Sequence, residues 1–485
     1  APQPRAVLPV FAHARRVLGM PPRSGVSPVE VGPHSLAFVA PGDLWGHPPT
    51  ADVVLVDEAA ALPVTLLGDL LTRCPRMAFA TTVHGYEGSG RGFSLRFRGL
   101  LDEVRPGWRG IELTEPVRWA PGDPVERLVF QALLLDASLV PDDAVAQAAD
   151  RAARIEVLDR DALAAHEGGL RALFGLLVAA HYRTSPGDLA RLLDGDGRHL
   201  YAAFLGTHLV AAAVVADEGG LSVALAEAVA RGERRPQGHL LAETLAFHVG
   251  LPAAATLRAR RVVRVAVHPA VRRRGIGRAM LAAVVADAEA TGCDQVGASF
   301  GGSAELVRFW RGAGFAPVRV GVRRGKSTGA HSVVVVRPTS AAGRAVLGDE
   351  PARFTRDLPH LLADALRRLE VDVALALLAG RCAPPVDARD EGLLEAAVQG
   401  PLGLDVVAAA AWRLAIGALA RTEVVAALTA TERTLLTRKL IQRVDWADLS
   451  AELGLGGSAA ATDAVRAALG RLRVLAGCPP GGEIG

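Results

Sequence analysis

Residues 260–290, RRVVRVAVHPAVRRRGIGRAMLAAVVADAEA, decide how this chain is read. The β-branched run through Val267 reads as a strand, and His268–Pro269 ends it as a turn. Arg272-x-x-Gly275-x-Gly277 then opens a long alanine-rich helix. Glycines let backbone N–H groups approach a pyrophosphate closely, and a helix N-terminus adds partial positive charge at the same place. A glycine-rich turn alone also fits a dinucleotide site. That site wants a flanking βαβ unit and an acidic residue about twenty positions on. Asp294 stands near that distance, but the surrounding pattern does not supply the unit.

Downstream, SFGGSAELVRFWRGAGF (299–315) reads as a strand end, a helix, and Gly314–Phe315 leading into another strand. Strand, arginine–glycine turn and this second helix together resemble the GNAT acetyltransferase superfamily. The resemblance implies acetyl-CoA as cofactor. It places Val265, Ala266 and Val267 along the pantetheine arm, and Arg272, Arg273, Arg274, Gly275, Ile276, Gly277 and Arg278 around the pyrophosphate. Glu305, at the start of its helix, would contact the cofactor, whereas the arginine expected near Gly312 is displaced to Arg311. GVRRGKST (321–328) imitates a phosphate loop but is one residue short between its glycines. It also precedes the β-rich HSVVVV, so it reads as a basic turn.

Working outward, the N-terminal segment alternates strands and helices. SLAFVA (35–40), DVVLVDEA (52–59) and RMAFATTV (76–83) read as strands, with helices over 62–73 and 124–138. Such alternation predicts a parallel sheet with crossover helices. Residues 141–160 read as a boundary, and 338–354 as a linker into a mostly helical tail. The fold expected is α/β: a partial RecA-like parallel sheet (1–140), a GNAT-type α/β domain (150–340) and a mostly α C-terminal domain (345–485).

The chain has 485 residues, a formal net charge of +3 and 22% charged residues, so it carries no global polyanion signal. Its charge distribution is more specific. Lys326 and Lys439 are the only lysines, and arginines cluster between 258 and 324. Guanidinium forks bind phosphates bidentately, so a basic face there is expected. Four scattered cysteines lack metal-ligand spacing, and no apolar stretch reads as a membrane span or signal peptide. A cytoplasmic location is expected.

VVLVDEAAALP (53–63), ATTVHGYEGSGRGFSLRF (80–97), EPVRWAPGDPVERL (115–128), AHYRTSPGDLARLLDGDGRHL (180–200) and RRPQGHLLAE (234–243) stand in this order around the acetyl-CoA stretch. Together they resemble the bacterial tRNA(Met) cytidine acetyltransferase family, over roughly residues 1–375 and loosely beyond. The resemblance implies N4-acetylation of cytidine at the wobble position of elongator tRNA(Met), using acetyl-CoA and ATP. The helical tail would bind tRNA. Asp57 would hold magnesium, Glu58 would position the attacking water, and Arg118 would touch ATP phosphate. No phosphate loop precedes Asp57 in this sequence, so weak ATP binding and little hydrolysis are expected of the chain as given.

A delocalised cytosine N4 lone pair is a poor nucleophile, so a general base is expected, a contribution of typically about 10²–10⁴-fold. His199 and His181 are the candidates, and imidazole titrates in the right range. His199 is preferred because its stretch leads directly into a sheet strand. Arg234, Arg235, Arg258, Arg260, Arg261, Arg323 and Arg324 are the candidate contacts to tRNA phosphates. Two other readings stay open. One is a helicase-type NTPase with a GNAT-like RNA-binding platform, and the other is a GNAT enzyme acting on protein or small amines. The oligomeric state is open as well.

Overall fold

The computed structural model describes residues 1, 3–44, 50–82, 90–180, 186–325, 329–382, 385–400 and 402–477. Two compact units emerge, each discontinuous in sequence. Unit 1 comprises residues 1–217, 260–290 and 324–329; unit 2 comprises 218–259, 291–323 and 330–485.

Near the start of unit 1, β1 (Val29–Val31) pairs antiparallel with β2 (His34–Leu36) about Gly32, whose φ of +57° makes the tight turn. The expected strand over 35–40 is therefore the second arm of a hairpin. It belongs to no parallel sheet. The parallel pairing appears between β3 (Val54–Val56) and β4 (Met77–Phe79), joined by the helix Val64–Arg73. Val56, Leu67 and Leu71 are buried there with Phe97 and Leu101 of the helix Gly90–Val104, and Phe79 meets Phe97 edge-on at 4.8 Å.

The larger sheet of unit 1 contains β5 (Arg154–Leu158), β6 (Arg198–Leu205), β7 (His208–Gly219) and residues 260–267 of β8 (Arg258–Val267). These strands lie in the order β8-β7-β6-β5, with β5–β6 and β6–β7 antiparallel. Residues 141–160, expected to be a boundary, thus supply the edge strand of this sheet. Strand alternation divides β6 between two faces. Leu200 and Ala202 pack with Leu173, Leu177 and Leu192 of the helices Glu167–Ala180 and Pro186–Asp194. Tyr201 points the other way, toward the helix Ile276–Ala290, and reaches Asp287 on it.

Unit 2 contains β9 (Gln295–Gly301), residues 316–323 of β10 (Ala316–Arg324), and β11 (His331–Pro338), in the order β10-β11-β9. β11 runs antiparallel to β9, with Val335 opposite Ala298. Val318, Val334 and Val336 bury against Leu241, Leu245 and Leu347. Leu347 belongs to the expected linker, which instead forms the helices Ala341–Leu347 and Glu350–Ala363. The Ser340 hydroxyl caps the first by accepting from Gly343 N–H at 3.0 Å. A Cβ at Gly343 would lie 2.0 Å from the Asp294 carbonyl oxygen, so the linker packs too closely to tolerate a larger residue. Further helices, ending with Ser458–Ala476, complete the unit. Among the described residues, no helix is long and apolar enough to cross a membrane.

Candidate active site

β8 is a strand with its two ends built differently. Val262 and Ala266 are buried, while residues 263–265 and Val267 are half-buried, leaving part of the strand accessible. Its end is fixed by His268, fully buried, whose Nδ1 accepts from Ala270 N–H at 3.4 Å. Nε2 then donates to the Val140 carbonyl at 2.8 Å, which sets the neutral tautomer. His268 is accordingly a turn-forming residue.

The turn that follows is strained where the sequence predicts an anion site. Arg273 has φ +60° and Gly275 φ +83°, both in the left-handed region. Arg272, Arg273, Arg274 and Arg278 are exposed, whereas Ile276 and Gly277 are buried at the start of the helix Ile276–Ala290. The first N–H groups of that helix have no acceptor within it. Arg272 donates to the Val267 carbonyl at 3.2 Å and Arg274 to the Ala149 carbonyl at 2.6 Å, which fixes two of the side chains. Exposed guanidinium groups around helix-end amides fit a pyrophosphate.

At the far end of the same sheet, His199 Nε2 lies 3.0 Å from both oxygens of Asp217. Arg260 is buried beside it, with its side chain 4% exposed, and spans two carboxylates: Asp217 at 3.4 Å and Asp287 at 2.6 Å. Tyr201 donates to Asp287 at 2.5 Å. Burial, joined by that hydrogen bond, pushes the Tyr201 phenol well above its ordinary value. Burial would also raise the Asp287 carboxyl, but the hydrogen bonds from Tyr201 and Arg260, with the Arg260 charge, hold it below the usual range. The sequence reading therefore misplaced Arg260: its guanidinium is an internal bridge and cannot reach tRNA phosphate. Asp217, Asp287 and Tyr201 were missed. Strand alternation, which puts His199 and Tyr201 on one face of β6, was the available signal.

The two ends can be related through β7. His268 N–H bonds the Val210 carbonyl, and His199 stands opposite Val215. Five residues of strand separate these points, about 17 Å at roughly 3.4 Å per residue. The accessible middle of β8 lies along this path. His181, the second candidate base, lies outside the described residues.

In unit 2, Ser303 caps the helix Ala304–Gly312 by accepting from Leu306 N–H, and Glu305 is exposed in its first turn. Arg311 is engaged elsewhere, donating to the carbonyls of Ala376 and Ala379 at 3.1 and 2.6 Å. Asp294, near the position wanted by the dinucleotide reading, accepts from Arg258 N–H at 2.9 Å and Ser340 Oγ at 2.7 Å. It is a structural tie. Arg234, Arg235, Arg258 and Arg323 are exposed, and Arg261 and Arg324 are half-buried. Arg324 donates to the Gly329 carbonyl.

In the N-terminal segment, Asp57 follows β3, and Glu58 takes the left-handed conformation at φ +50°. Ala60 N–H donates to Thr81 Oγ1 at 3.3 Å, which ties this turn to the end of β4. Arg118 is exposed on an irregular stretch. Residues 83–89, within the glycine-rich stretch expected to couple nucleotide state to RNA, and Lys326–Thr328 lie outside the described residues.

The accessible strand, the arginine–glycine turn and the helix behind it define a GNAT acetyltransferase domain, and residues 172–294 and 279–340 match the family model GNAT acetyltransferase 2. Residues 1–136 match the model of the RNA cytidine acetyltransferase NAT10/TcmA helicase domain. The tRNA(Met) cytidine acetyltransferase TmcA of Nitrosococcus halophilus is 44% identical over 475 residues, covering 96% of this chain and 63% of the relative. The TmcA of Vibrio cholerae is 35% identical, covering 96% and 64% respectively. Over 96% of its length this chain is similar to these TmcA relatives, and it spans under two thirds of their length. Among solved structures, the ribosomal-protein-S18-alanine N-acetyltransferase of Escherichia coli is 16% identical with a TM-score of 0.27, covering 39% of this chain and 95% of that one. A Bacillus subtilis acetyltransferase in complex with CoA has 16% identity and a TM-score of 0.25, covering 39% and 99%.

Proposed function

We propose that this chain transfers the acetyl group of acetyl-CoA to N4 of cytidine in tRNA, at the wobble position of elongator tRNA(Met). The observation that carries this is the arginine–glycine turn at the end of β8, on a chain whose first 136 residues match an RNA cytidine acetyltransferase helicase domain. Acetyl-CoA would supply an activated thioester carbonyl. Residues Arg272–Arg278 would hold its pyrophosphate, and backbone groups of Val265, Ala266 and Val267 would align the arm along β8. Glu305 is assigned to the cofactor as well.

The chemistry needs one C–N bond formed and one C–S bond broken. N4 attacks the carbonyl carbon, its proton passes to a base, and the departing thiolate takes up a proton. His199 or His181 is assigned as base. Asp217 holds the His199 ring by Nε2, leaving Nδ1 as the atom through which that residue would accept a proton. Replacing each histidine by Gln separates them: the base variant lowers kcat about 10²-fold or more and flattens the rising limb of the pH–rate profile. A structural His199 would instead lose stability while its pH profile keeps its shape.

ATP belongs to this reading through the helicase-type segment, with Asp57 and Glu58 as the magnesium and water-positioning acids and Arg118 toward phosphate. The segments 1–140, 150–340 and 345–485 would serve as nucleotide, acetyl-transfer and tRNA-binding regions. The reading is tested by supplying acetyl-CoA and tRNA and identifying the modified nucleoside. An NTPase with a passive GNAT platform would bind tRNA without forming N4-acetylcytidine. An amine- or protein-directed enzyme would label a different acceptor.

A further inference from the structure

Unit 2 contains an exposed aromatic pair that the acetyl-transfer site does not use. The segment Thr244–His248 is a π-helix, a wide turn often found where a chain redirects side chains for a purpose. Thr244, Leu245 and Ala246 are buried, whereas Phe247 and His248 are exposed, Phe247 by 39%. Their rings stand edge-to-face with centroids 4.8 Å apart. Phe247 also lies over Gly232, where an added Cβ would come within 2.9 Å of its ring. A bulkier residue at 232 would therefore displace the ring.

The surroundings of this pair are positively charged. Gly232 begins the stretch GERRPQG, in which Arg234 and Arg235 are exposed. Arg235 lies 3.6 Å from Glu243, the residue immediately before the π-helix. Burial lowers the His248 pKa first, and the charges of Arg319 and Arg235 lower it further, against Glu243. The adjacent carboxylate Glu233 is held by Arg231 at 2.7 Å.

Exposed rings flanked by arginines match the needs of an unpaired nucleotide. A base can stack on the ring faces while guanidinium groups take the phosphates on either side. An acidic peptide would use the arginines and leave the rings idle, and an apolar partner would leave the charges uncompensated. We propose that Phe247 and His248, with Arg234 and Arg235, form a stacking platform for an unpaired nucleotide of the RNA substrate. This rests on the reading of the chain as acting on RNA and adds the place where single-stranded RNA is held.

The test uses the whole chain and two RNAs of equal length. One is a stem-loop with 2-aminopurine in its loop, and the other is a blunt duplex. Phe247→Leu keeps apolar volume over Gly232 but removes the π face, and His248→Ala removes the second ring. Each is expected to weaken stem-loop binding about tenfold, with loss of 2-aminopurine quenching and unchanged duplex binding and melting temperature. Wild-type stem-loop affinity in both variants would overturn the platform, as would equal losses for stem-loop and duplex. The assay contains no acetyl-CoA, so it succeeds or fails independently of acetyl transfer. Ring-dependent loop binding without N4-acetylcytidine would defeat the catalytic reading alone, and transfer with ring-independent binding would defeat the platform alone.

Discussion

Gly275→Ala isolates the cofactor turn from the stability of the fold. Gly275 has φ +83°, and a Cβ built there meets no atom within 4 Å. The substitution therefore causes no clash inside the protein. Its cost is the left-handed backbone, about 1–2 kcal/mol for an L-residue with a side chain. Gly380 offers a matched comparison in unit 2, with φ +73° and equally open space. Alanine at either position should lower the unfolding free energy by the same amount, a shift of a few degrees in Tm. Only the Gly275 change puts a methyl group on the turn and bends the amides that would face the pyrophosphate. Titration calorimetry with CoA should show at least a tenfold weaker Kd for Gly275→Ala, about 1.4 kcal/mol, and a wild-type Kd for Gly380→Ala. Wild-type CoA affinity in Gly275→Ala would refute the assignment of the turn. Equal losses in both variants would show that the effect reports stability and not contact.

Three further outcomes follow from the site. Arg260→Leu leaves Asp217 and Asp287 without their shared cation; because both carboxylates are partly exposed, the loss should be about 2–3 kcal/mol, below the roughly 3–5 of a fully buried pair. Denaturant titration checks it, and a loss under ~1 kcal/mol would contradict the bridging role. The Asp287 carboxyl is held below its ordinary value, so its stabilisation is present above the unfolded pKa of about 3.9 and disappears as pH falls through the folded value. The stability gap between wild type and Asp287→Asn should therefore be widest near neutrality and narrow below about pH 4; a gap constant with pH would contradict this. Replacing Arg234 and Arg235 together by Ala should weaken tRNA binding and reduce the slope of log K against log salt by about one to two. An unchanged affinity and slope would remove both from the RNA-binding surface.

Local chemistry carried the sequence reading where neighbouring residues act together. The strand, the arginine–glycine turn and the helix of residues 260–290 lie within one continuous stretch, so spacing alone located the turn at Arg272–Gly277. Long-range pairing was not legible. Arg260 looks like its exposed neighbours in sequence, and its burial is decided by Asp217 and by Asp287, 27 positions away. The linker reading of 338–354 failed for the same reason. Pro338–Thr339–Ser340 and the glycines suggested a loop, but Ser340 caps a helix whose Leu347 enters the core around β11. The strand inside the boundary region 141–160 was not legible either, because its five residues, Arg154–Leu158, are fixed by their partner β6.

The most direct test of the acetyl-transfer reading is to incubate this chain with labelled acetyl-CoA and total tRNA, with and without ATP, and digest the RNA to nucleosides. The account predicts label in N4-acetylcytidine, confined to tRNA(Met) and lost in Gly275→Ala. Label in no nucleoside under either condition, or N4-acetylcytidine formed equally by Gly275→Ala, would contradict it.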